Sequence, residues 1–157
     1  MRDNLACKRS RPYAIDPKVQ LHATGRRGDG GILEIFFNGK LVADVSLSPT
    51  EFAILALLIE AARRSLGKHW ATACVSATNL ARELVRLQLG TGDRQCLYQA
   101  LYKLRKLLRK ELKLAEKLQD AKWGQIQIEL QPGLGYRLSV APNRLKITLL
   151  DQDGGGH

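Results

Sequence analysis

Hydrophobic and polar positions follow a strand-like pattern in the first third of the chain. Residues 18–23 alternate between apolar and polar side chains, which predicts a short strand. Residues 32–37 and 41–47 are rich in β-branched and aromatic side chains, and the Asn38-Gly39 pair between them is a strong β-hairpin signal. The glycine-rich segment 25–31 predicts a turn. The chain is therefore expected to open with a small antiparallel sheet.

The pattern becomes helical from Ser48 onwards. The segment Ser48-Pro49-Thr50-Glu51 supplies an N-cap, a proline in the first turn and an acid near the positive end of the helix dipole. Apolar residues at helical spacing follow it and predict a first helix that ends before Gly67. Ser76 caps a second helix, and a third is predicted over residues 93–118. The pattern of residues 68–75 admits a short strand.

Two more strands are predicted after the helices, over residues 124–130 and 136–140, and residues 144–150 admit an additional one. Three strands, three helices and a hairpin follow the order of an α+β winged helix-turn-helix, in which the hairpin is the wing. We expect a basic flexible tail (1–16), one winged-helix domain (17–141) and a C-terminal extension (142–157). The extension combines the additional strand with a disordered end.

The third predicted helix separates apolar from charged residues. Leu97, Leu101, Leu104 and Leu108 recur at helical spacing and form one stripe, which must face a core. The opposite face contains amide, aromatic and cationic side chains and no acid: Gln95, Gln99, Tyr102, Lys103, Lys106, Arg109, Lys110 and Lys113. Residues 94–117 hold eight Lys/Arg against two Glu, a net +6 in a chain whose net charge is +10.

Such a helix face fits the major groove of DNA. The groove admits one α-helix, and Gln side chains pair bidentately with adenine. Lys and Arg neutralise phosphates and release counterions, which gives affinity without sequence information. The amides lie toward the N-terminus of the helix and the cations toward its C-terminus, as in a helix that enters the groove with its N-terminal half. Charge alone leaves two alternatives open, a solvated surface and an anionic membrane.

Four segments of the chain form an ordered set of motifs: residues 47–52 (LSPTEF), residues 75–80 (VSATNL), residues 97–108 (LYQALYKLRKLL) and residues 133–138 (GLGYRL). In this order they resemble the DNA-binding effector domain of OmpR/PhoB-type response regulators. There they open the first and second helices and form the recognition helix and the wing. The resemblance extends from about residue 18 to residue 139.

The resemblance implies sequence-specific binding to double-stranded DNA and regulation of transcription. Within the third helix it assigns four residues to bases or adjacent phosphates, namely Gln95, Gln99, Ala100 and Lys103. Helix N-termini at Thr50 and Ser76 offer N–H groups to phosphates. The expected DNA-contacting residues are Arg94, Gln95, Gln99, Tyr102, Lys103, Arg105, Lys106, Arg109, Lys110, Thr50, Ser76 and Arg137.

The chain departs from the family pattern in several places, including the wing and the region before the first sheet. Pro132 stands where the wing of the family usually has an arginine, and Arg137 is left either to contact DNA or to face the sheet. The 31 residues before Ile32 are too few for a receiver domain, which takes about 120 residues, so we expect none in this chain. The family implies RNA polymerase and a second copy of the chain on repeated half-sites as further partners.

Other functional classes find little support in the sequence. We expect a cytoplasmic protein without a membrane partner, because no apolar run would span a bilayer and the N-terminus lacks the apolar core of a secretory signal. Cys7, Cys74 and Cys96 are expected to be reduced thiols. The histidines and acids form no metal-binding or catalytic motif, so we expect no enzyme activity and no cofactor. The alternative is a winged-helix protein–protein interaction module with weak or no DNA readout.

Overall fold

The computed structural model describes residues 18–120 and 127–150. Its strands are β1 (Val19–Arg26), β2 (Gly30–Phe37), β3 (Lys40–Leu47), β4 (Ile128–Gln131), β5 (Gly135–Leu138) and β6 (Leu145–Leu149). Its α-helices are α1 (Pro49–Arg64), α2 (Ala77–Arg86) and α3 (Arg94–Gln119), and two 3-10 helices span Trp70–Ala73 and Pro142–Arg144. The predicted α+β class, with an N-terminal sheet, three helices and a C-terminal hairpin, is confirmed.

The N-terminal sheet has four strands in the order β3-β2-β1-β6. Val19, Leu21 and Ala23 of β1 face the core, as their alternation predicts. Asn38 and Gly39 join β2 to β3 with φ angles of 54° and 81°. A two-residue hairpin turn of type I′ requires such left-handed angles at both positions. The Asn-Gly prediction is therefore confirmed.

β6 is the additional strand that the sequence admits over residues 144–150. It pairs with β1 in parallel, from Leu21↔Leu145 to Gly25↔Leu149, so the sheet is mixed rather than antiparallel. Arg63 of α1 donates a hydrogen bond of 2.6 Å to the carbonyl oxygen of Leu145 and holds the start of this strand. Residues 145–149 of the expected C-terminal extension therefore belong to the same sheet as β1.

α1 joins the sheet to the rest of the fold. The Ser48 hydroxyl accepts a hydrogen bond from the Glu51 N–H, and the Glu51 carboxylate accepts one from the Ser48 N–H, which together form a capping box. Phe52, Leu55 and Leu58 are fully buried. The helix contacts β1, β2 and β6 as well as α2, α3 and β5, so one core serves both the sheet and the helical region.

A backbone bridge at Val75 links the hairpin β4–β5 to the segment between α1 and α2. Residues 68–75 contain a 3-10 helix followed by Val75 in a β-bridge, in place of the short strand that their pattern admits. Val75 and Tyr136 exchange two backbone hydrogen bonds of 2.8 Å. A Cβ atom at Gly135, where φ is 119°, would lie 2.4 Å from the Val75 carbonyl oxygen. The approach of the two segments therefore requires glycine at this position.

Three predictions fall wholly or partly outside the described residues: the tail (1–16), the start of the first hairpin strand (124–126) and the end of the C-terminal extension (151–157). Among the helices that the structure describes, none combines the length and the apolar run needed to cross a bilayer.

Candidate nucleic-acid interface

One face of α3 is buried over most of the helix. Leu97, Leu101, Leu104 and Leu108 are at most 1% exposed, and the stripe continues through Leu112 and Ala115. The predicted leucine stripe is therefore confirmed. The helix is unbroken for 26 residues, which corresponds to about 39 Å at 1.5 Å per residue.

The opposite face of α3, called here the basic face, is exposed to solvent. It consists of Gln95, Gln99, Tyr102, Lys103, Lys106, Arg109, Lys110 and Lys113, all of which are exposed. Glu111 and Glu116, the two acids of the helix, are half-buried. The helix therefore presents positive charge and hydrogen-bonding groups on one side and hydrocarbon on the other.

The basic face divides into two chemically different halves. Toward the N-terminus, Gln95, Tyr98, Gln99, Tyr102 and Lys103 surround one shallow depression. The C-terminal half carries only cations, namely Lys106, Arg109, Lys110 and Lys113. The Lys106 ammonium lies 5.7 Å from the centroid of the Tyr102 ring, at the junction of the halves. Amide and aromatic side chains are thus concentrated toward the N-terminus of α3, whereas the C-terminal half of the face carries cations alone.

Tyr98 and Ala100 differ from the expected distribution of contacts on α3. Tyr98 was not among the expected contacts, yet it is 45% exposed and lines the depression. Its position four residues before Tyr102 is the signal that identifies it, because residues at this spacing share a helix face. Ala100 is half-buried and packs against the core instead of facing solvent. Of these two residues, the aromatic Tyr98 is therefore the one that faces solvent.

Arg94 links the start of α3 to the start of α2. Its Nη2 atom donates a hydrogen bond of 3.0 Å to the hydroxyl of Thr78. Ser76 caps α2 by accepting a hydrogen bond from the Asn79 N–H, and the first turn of α2 contains no acid. The positive end of this helix dipole therefore keeps its attraction for anions, and Arg94 adds a charge beside it.

Thr50 lies at a helix end with different electrostatics. It is half-buried in the first turn of α1. The Glu51 carboxylate of the capping box is in the same turn. This negative charge compensates the helix dipole, so the N-terminus of α1 attracts a phosphate less strongly than the N-terminus of α2.

Arg105 points toward the hairpin rather than along the basic face. Its Nε and Nη2 atoms donate hydrogen bonds of 3.1 and 2.7 Å to the carbonyl oxygen of Ile128. Its guanidinium also lies 5.6 Å from the centroid of the Tyr136 ring. These two donors tie α3 to β4, and the contact of Arg105 with the DNA backbone stays a prediction.

Arg137 is buried inside the wing, with 4% of its surface exposed. Its Nε and Nη2 atoms contact the Glu129 carboxylate at 3.1 and 3.0 Å. The guanidinium lies 4.6 Å from the centroid of the Trp70 ring. Of the two placements that the sequence leaves open for Arg137, its burial fits the one that faces the protein. The side chain fastens β5 to β4 and to the preceding 3-10 helix.

A network of ion pairs joins the β1–β2 turn to α1 and α2. Arg27 contacts Glu60 at 2.5 Å and Glu83 at 3.3 Å, and Arg86 contacts Glu83 at 2.7 Å. The hydrogen bond from Arg86, assisted by the charges of both arginines, holds the pKa of Glu83 below its usual value. The acids of this network are thus neutralised within the protein.

Two observations on the described residues concern thiol and metal-binding chemistry. Cys74 and Cys96 are free thiols. Burial raises the pKa of Cys74, which favours the unreactive protonated thiol. Within residues 18–120 and 127–150, no group of three or more His, Cys, Asp or Glu side chains is placed to hold a metal ion.

No protein-family model matches the chain, and no curated protein matches its sequence significantly. The similarity to OmpR/PhoB-type effector domains therefore stays a resemblance of motifs and element order.

Proposed function

We propose that the protein is a sequence-specific DNA-binding regulator of transcription that inserts α3 into the major groove of duplex DNA. The observation that carries this proposal is the exposed basic face of α3 opposite a buried leucine stripe. A helix with such a face matches the groove in diameter, in charge and in hydrogen-bonding capacity. The resemblance to OmpR/PhoB-type effector domains supports the same function, exerted in the cytoplasm.

The two halves of the basic face carry different parts of the proposed interaction. Gln95 and Gln99 offer amide donors and acceptors to adenine N6 and N7. Lys106, Arg109 and Lys110 neutralise phosphates and supply affinity for any sequence. Because α3 is about 39 Å long, its C-terminal half extends beyond the base contacts and follows the backbone.

The N-terminus of α2 supplies a second contact in this proposal. Its backbone N–H groups and Arg94 bind a phosphate at the edge of the groove. The hairpin is a support: Arg105 and Arg137 hold it against α3 and the 3-10 helix. A second copy of the chain on a repeated half-site and RNA polymerase are the further partners that such a regulator uses.

The dependence of binding on salt tests whether the basic face contacts phosphates. We expect the affinity for a mixed-sequence duplex to fall with a log–log slope of about −0.9 per phosphate contact. Fluorescence anisotropy at several salt concentrations measures this slope. A chain that fails to bind duplex DNA at low salt, or binds it with a flat salt dependence, contradicts the proposal.

Base readout is tested by comparing an amide with a cation of the same helix. On a site selected from random duplexes, Gln99→Ala is expected to cost about 1–3 kcal/mol of binding free energy relative to unselected DNA. Lys110→Ala is expected to weaken selected and unselected DNA alike. If both variants weaken all sequences equally, Gln99 does not read a base.

A protein–protein interaction module is the second candidate function. The observation that favours it is the hairpin, whose exposed large side chains are Leu130 and Leu134, at 57% and 45%, rather than cations. In that case the basic face attracts an acidic partner protein. The salt titration separates the candidates, because this module shows no steep, salt-dependent affinity for duplex DNA.

A further inference from the structure

The first two turns of α3 contain a short internal repeat in the sequence. The sequence from Gln95 to Tyr102 reads QCLYQALY, in which a glutamine is followed three residues later by a tyrosine, twice in succession. The two pairs are Gln95–Tyr98 and Gln99–Tyr102. Residues three apart on a helix are neighbours, so each amide has an aromatic ring beside it on the next turn.

Both tyrosines are available for a ligand. Tyr102 is 63% exposed and Tyr98 is 45% exposed, and both line the depression on the N-terminal half of the basic face. The leucine stripe already supplies the core contacts of α3. The Lys106 ammonium stands 5.7 Å from the Tyr102 ring centroid, a cation–π contact that orients the ring. The rings therefore form an apolar, ordered surface between hydrogen-bonding groups.

We propose that Tyr98 and Tyr102 contact the C5-methyl groups of thymine, so that each Gln–Tyr pair reads both partners of an A·T pair. This inference rests on the proposed DNA-binding function and specifies its target. In the major groove adenine presents N6 and N7 to an amide side chain, and thymine presents its methyl group to an apolar one. Glutamine and tyrosine supply these two complementary surfaces.

The spacing of the repeat suits successive positions in the groove. The two Gln–Tyr pairs lie four residues apart, which is about 6 Å along the helix axis. Two base-pair steps rise about 6.8 Å, at 3.4 Å each. The selected DNA is therefore expected to contain A·T pairs about two steps apart.

Removal of the thymine methyl group tests the inference directly. The probe is a mixed-order duplex of A·T pairs, compared with the same duplex in which uracil replaces every thymine and only the methyl groups are lost. We expect the full chain to bind the uracil duplex roughly three- to fivefold more weakly per contacted methyl, with the same salt slope. Conversely, 5-methylcytosine in place of cytosine should strengthen binding to a G·C duplex, because its methyl group occupies the corresponding groove position.

Three variants identify the side chains responsible. The double variant Tyr98→Ala/Tyr102→Ala is expected to bind the thymine and uracil duplexes equally. Tyr98→Phe/Tyr102→Phe keeps the rings and should keep the preference for thymine. Lys110→Ala, the matched control outside the repeat, should weaken both duplexes by one factor and preserve their ratio. Thermal unfolding checks that the variants remain folded, as expected for exposed positions.

The contrary outcomes distinguish a failure of methyl readout from a failure of DNA binding. Equal binding of thymine and uracil duplexes by the unaltered chain overturns methyl readout but leaves DNA binding intact. Loss of the thymine preference in the phenylalanine variant shows that the tyrosine hydroxyls, not the rings, make the contact, and also overturns the inference. Failure to bind either duplex at low salt overturns both the inference and the proposed function.

Discussion

α3 and the hairpin β4–β5 differ sharply in the charge that they expose. α3 exposes amides, tyrosines and cations along one face. The hairpin, residues 127–138, contains Arg137 as its single cation. That arginine is buried against Trp70 and Glu129. Apart from Arg105, the cations of α3 therefore face solvent, whereas the cation of the hairpin faces the protein.

The role of a cation in this fold depends on whether the protein supplies it with hydrogen-bond acceptors. Arg105 and Arg137 have a carbonyl or a carboxylate of the protein within hydrogen-bonding distance, and they connect elements of the fold. Lys106 and Lys110 are exposed instead, which leaves them accessible to the phosphates of a ligand. The comparison predicts that changes on α3 alter DNA affinity, whereas changes in the hairpin alter stability.

The largest expected effect comes from removing charge on α3. The triple variant Lys106→Ala/Arg109→Ala/Lys110→Ala should lower the affinity for duplex DNA roughly a hundredfold or more at about 0.1 M salt, because each lost phosphate contact removes about 0.9 from the salt slope. Anisotropy titrations measure both quantities. The control variant Arg64→Ala/Lys68→Ala/Lys146→Ala removes the same charge from other exposed sites. Equal losses in the two triple variants would show that net charge, not the basic face, governs binding.

The hairpin is expected to respond through stability at its two glycines. Gly135→Ala should lower the free energy of unfolding by roughly 2–4 kcal/mol, because the new Cβ would lie 2.4 Å from the Val75 carbonyl oxygen. Gly133→Ala, where φ is also positive but a Cβ meets no atom within 4 Å, should cost only about 1 kcal/mol. Chemical denaturation compares them. Similar costs for both substitutions would mean that the Val75–Tyr136 bridge tolerates separation.

Arg137 in the hairpin and Arg109 on α3 are expected to respond in opposite ways to replacement by alanine. Arg137→Ala removes the partner of Glu129 and the cation over Trp70, and we expect a loss of roughly 2–4 kcal/mol of stability. The salt slope of DNA binding by the folded variant should stay unchanged, since no phosphate contact is lost. Arg109→Ala on the basic face should do the opposite. A reduced salt slope in the Arg137 variant would place that residue at the DNA after all.

The smallest effect is expected in the ion-pair network between α1 and α2, which belongs to neither region. The pKa of Glu83 is held low in the folded chain, chiefly by the hydrogen bond from Arg86. Its ionised form therefore stabilises the fold at neutral pH, and this contribution is lost as the pH falls through the folded-state pKa. Glu83→Gln should cost about 0.5–1 kcal/mol at neutral pH and weaken the acid dependence of unfolding. Unfolding curves at neutral and acidic pH that coincide with those of the unaltered chain would contradict this.

Features encoded by neighbouring residues could be predicted from the sequence. The Asn38-Gly39 turn, the Ser48 cap and the leucine stripe of α3 each depend on residues within a few positions of one another. The conformational preferences of these residues depend mainly on their neighbours in the sequence. The order of the elements and the exposed face of α3 follow from such local signals.

Features that depend on distant partners could not be predicted in this way. The orientations of Arg105 and Arg137 are determined by Ile128, Glu129 and Trp70, which reach them only when the hairpin packs on the helices. For a cation on the flank of a helix or in a strand, the neighbouring residues in the sequence do not indicate which acceptor it will contact.

The pairing of β6 with β1 also has consequences for how the chain acquires its fold. Leu21 and Leu145 become neighbours although every helix and the hairpin lie between them in sequence. Such long-range pairing must overcome the entropy of closing a large loop, so it forms slowly. Until Leu149 has left the ribosome, the edge of β1 that β6 will cover stays open, and open edges recruit other strands. The final strand therefore sets how long a nascent chain is exposed to aggregation.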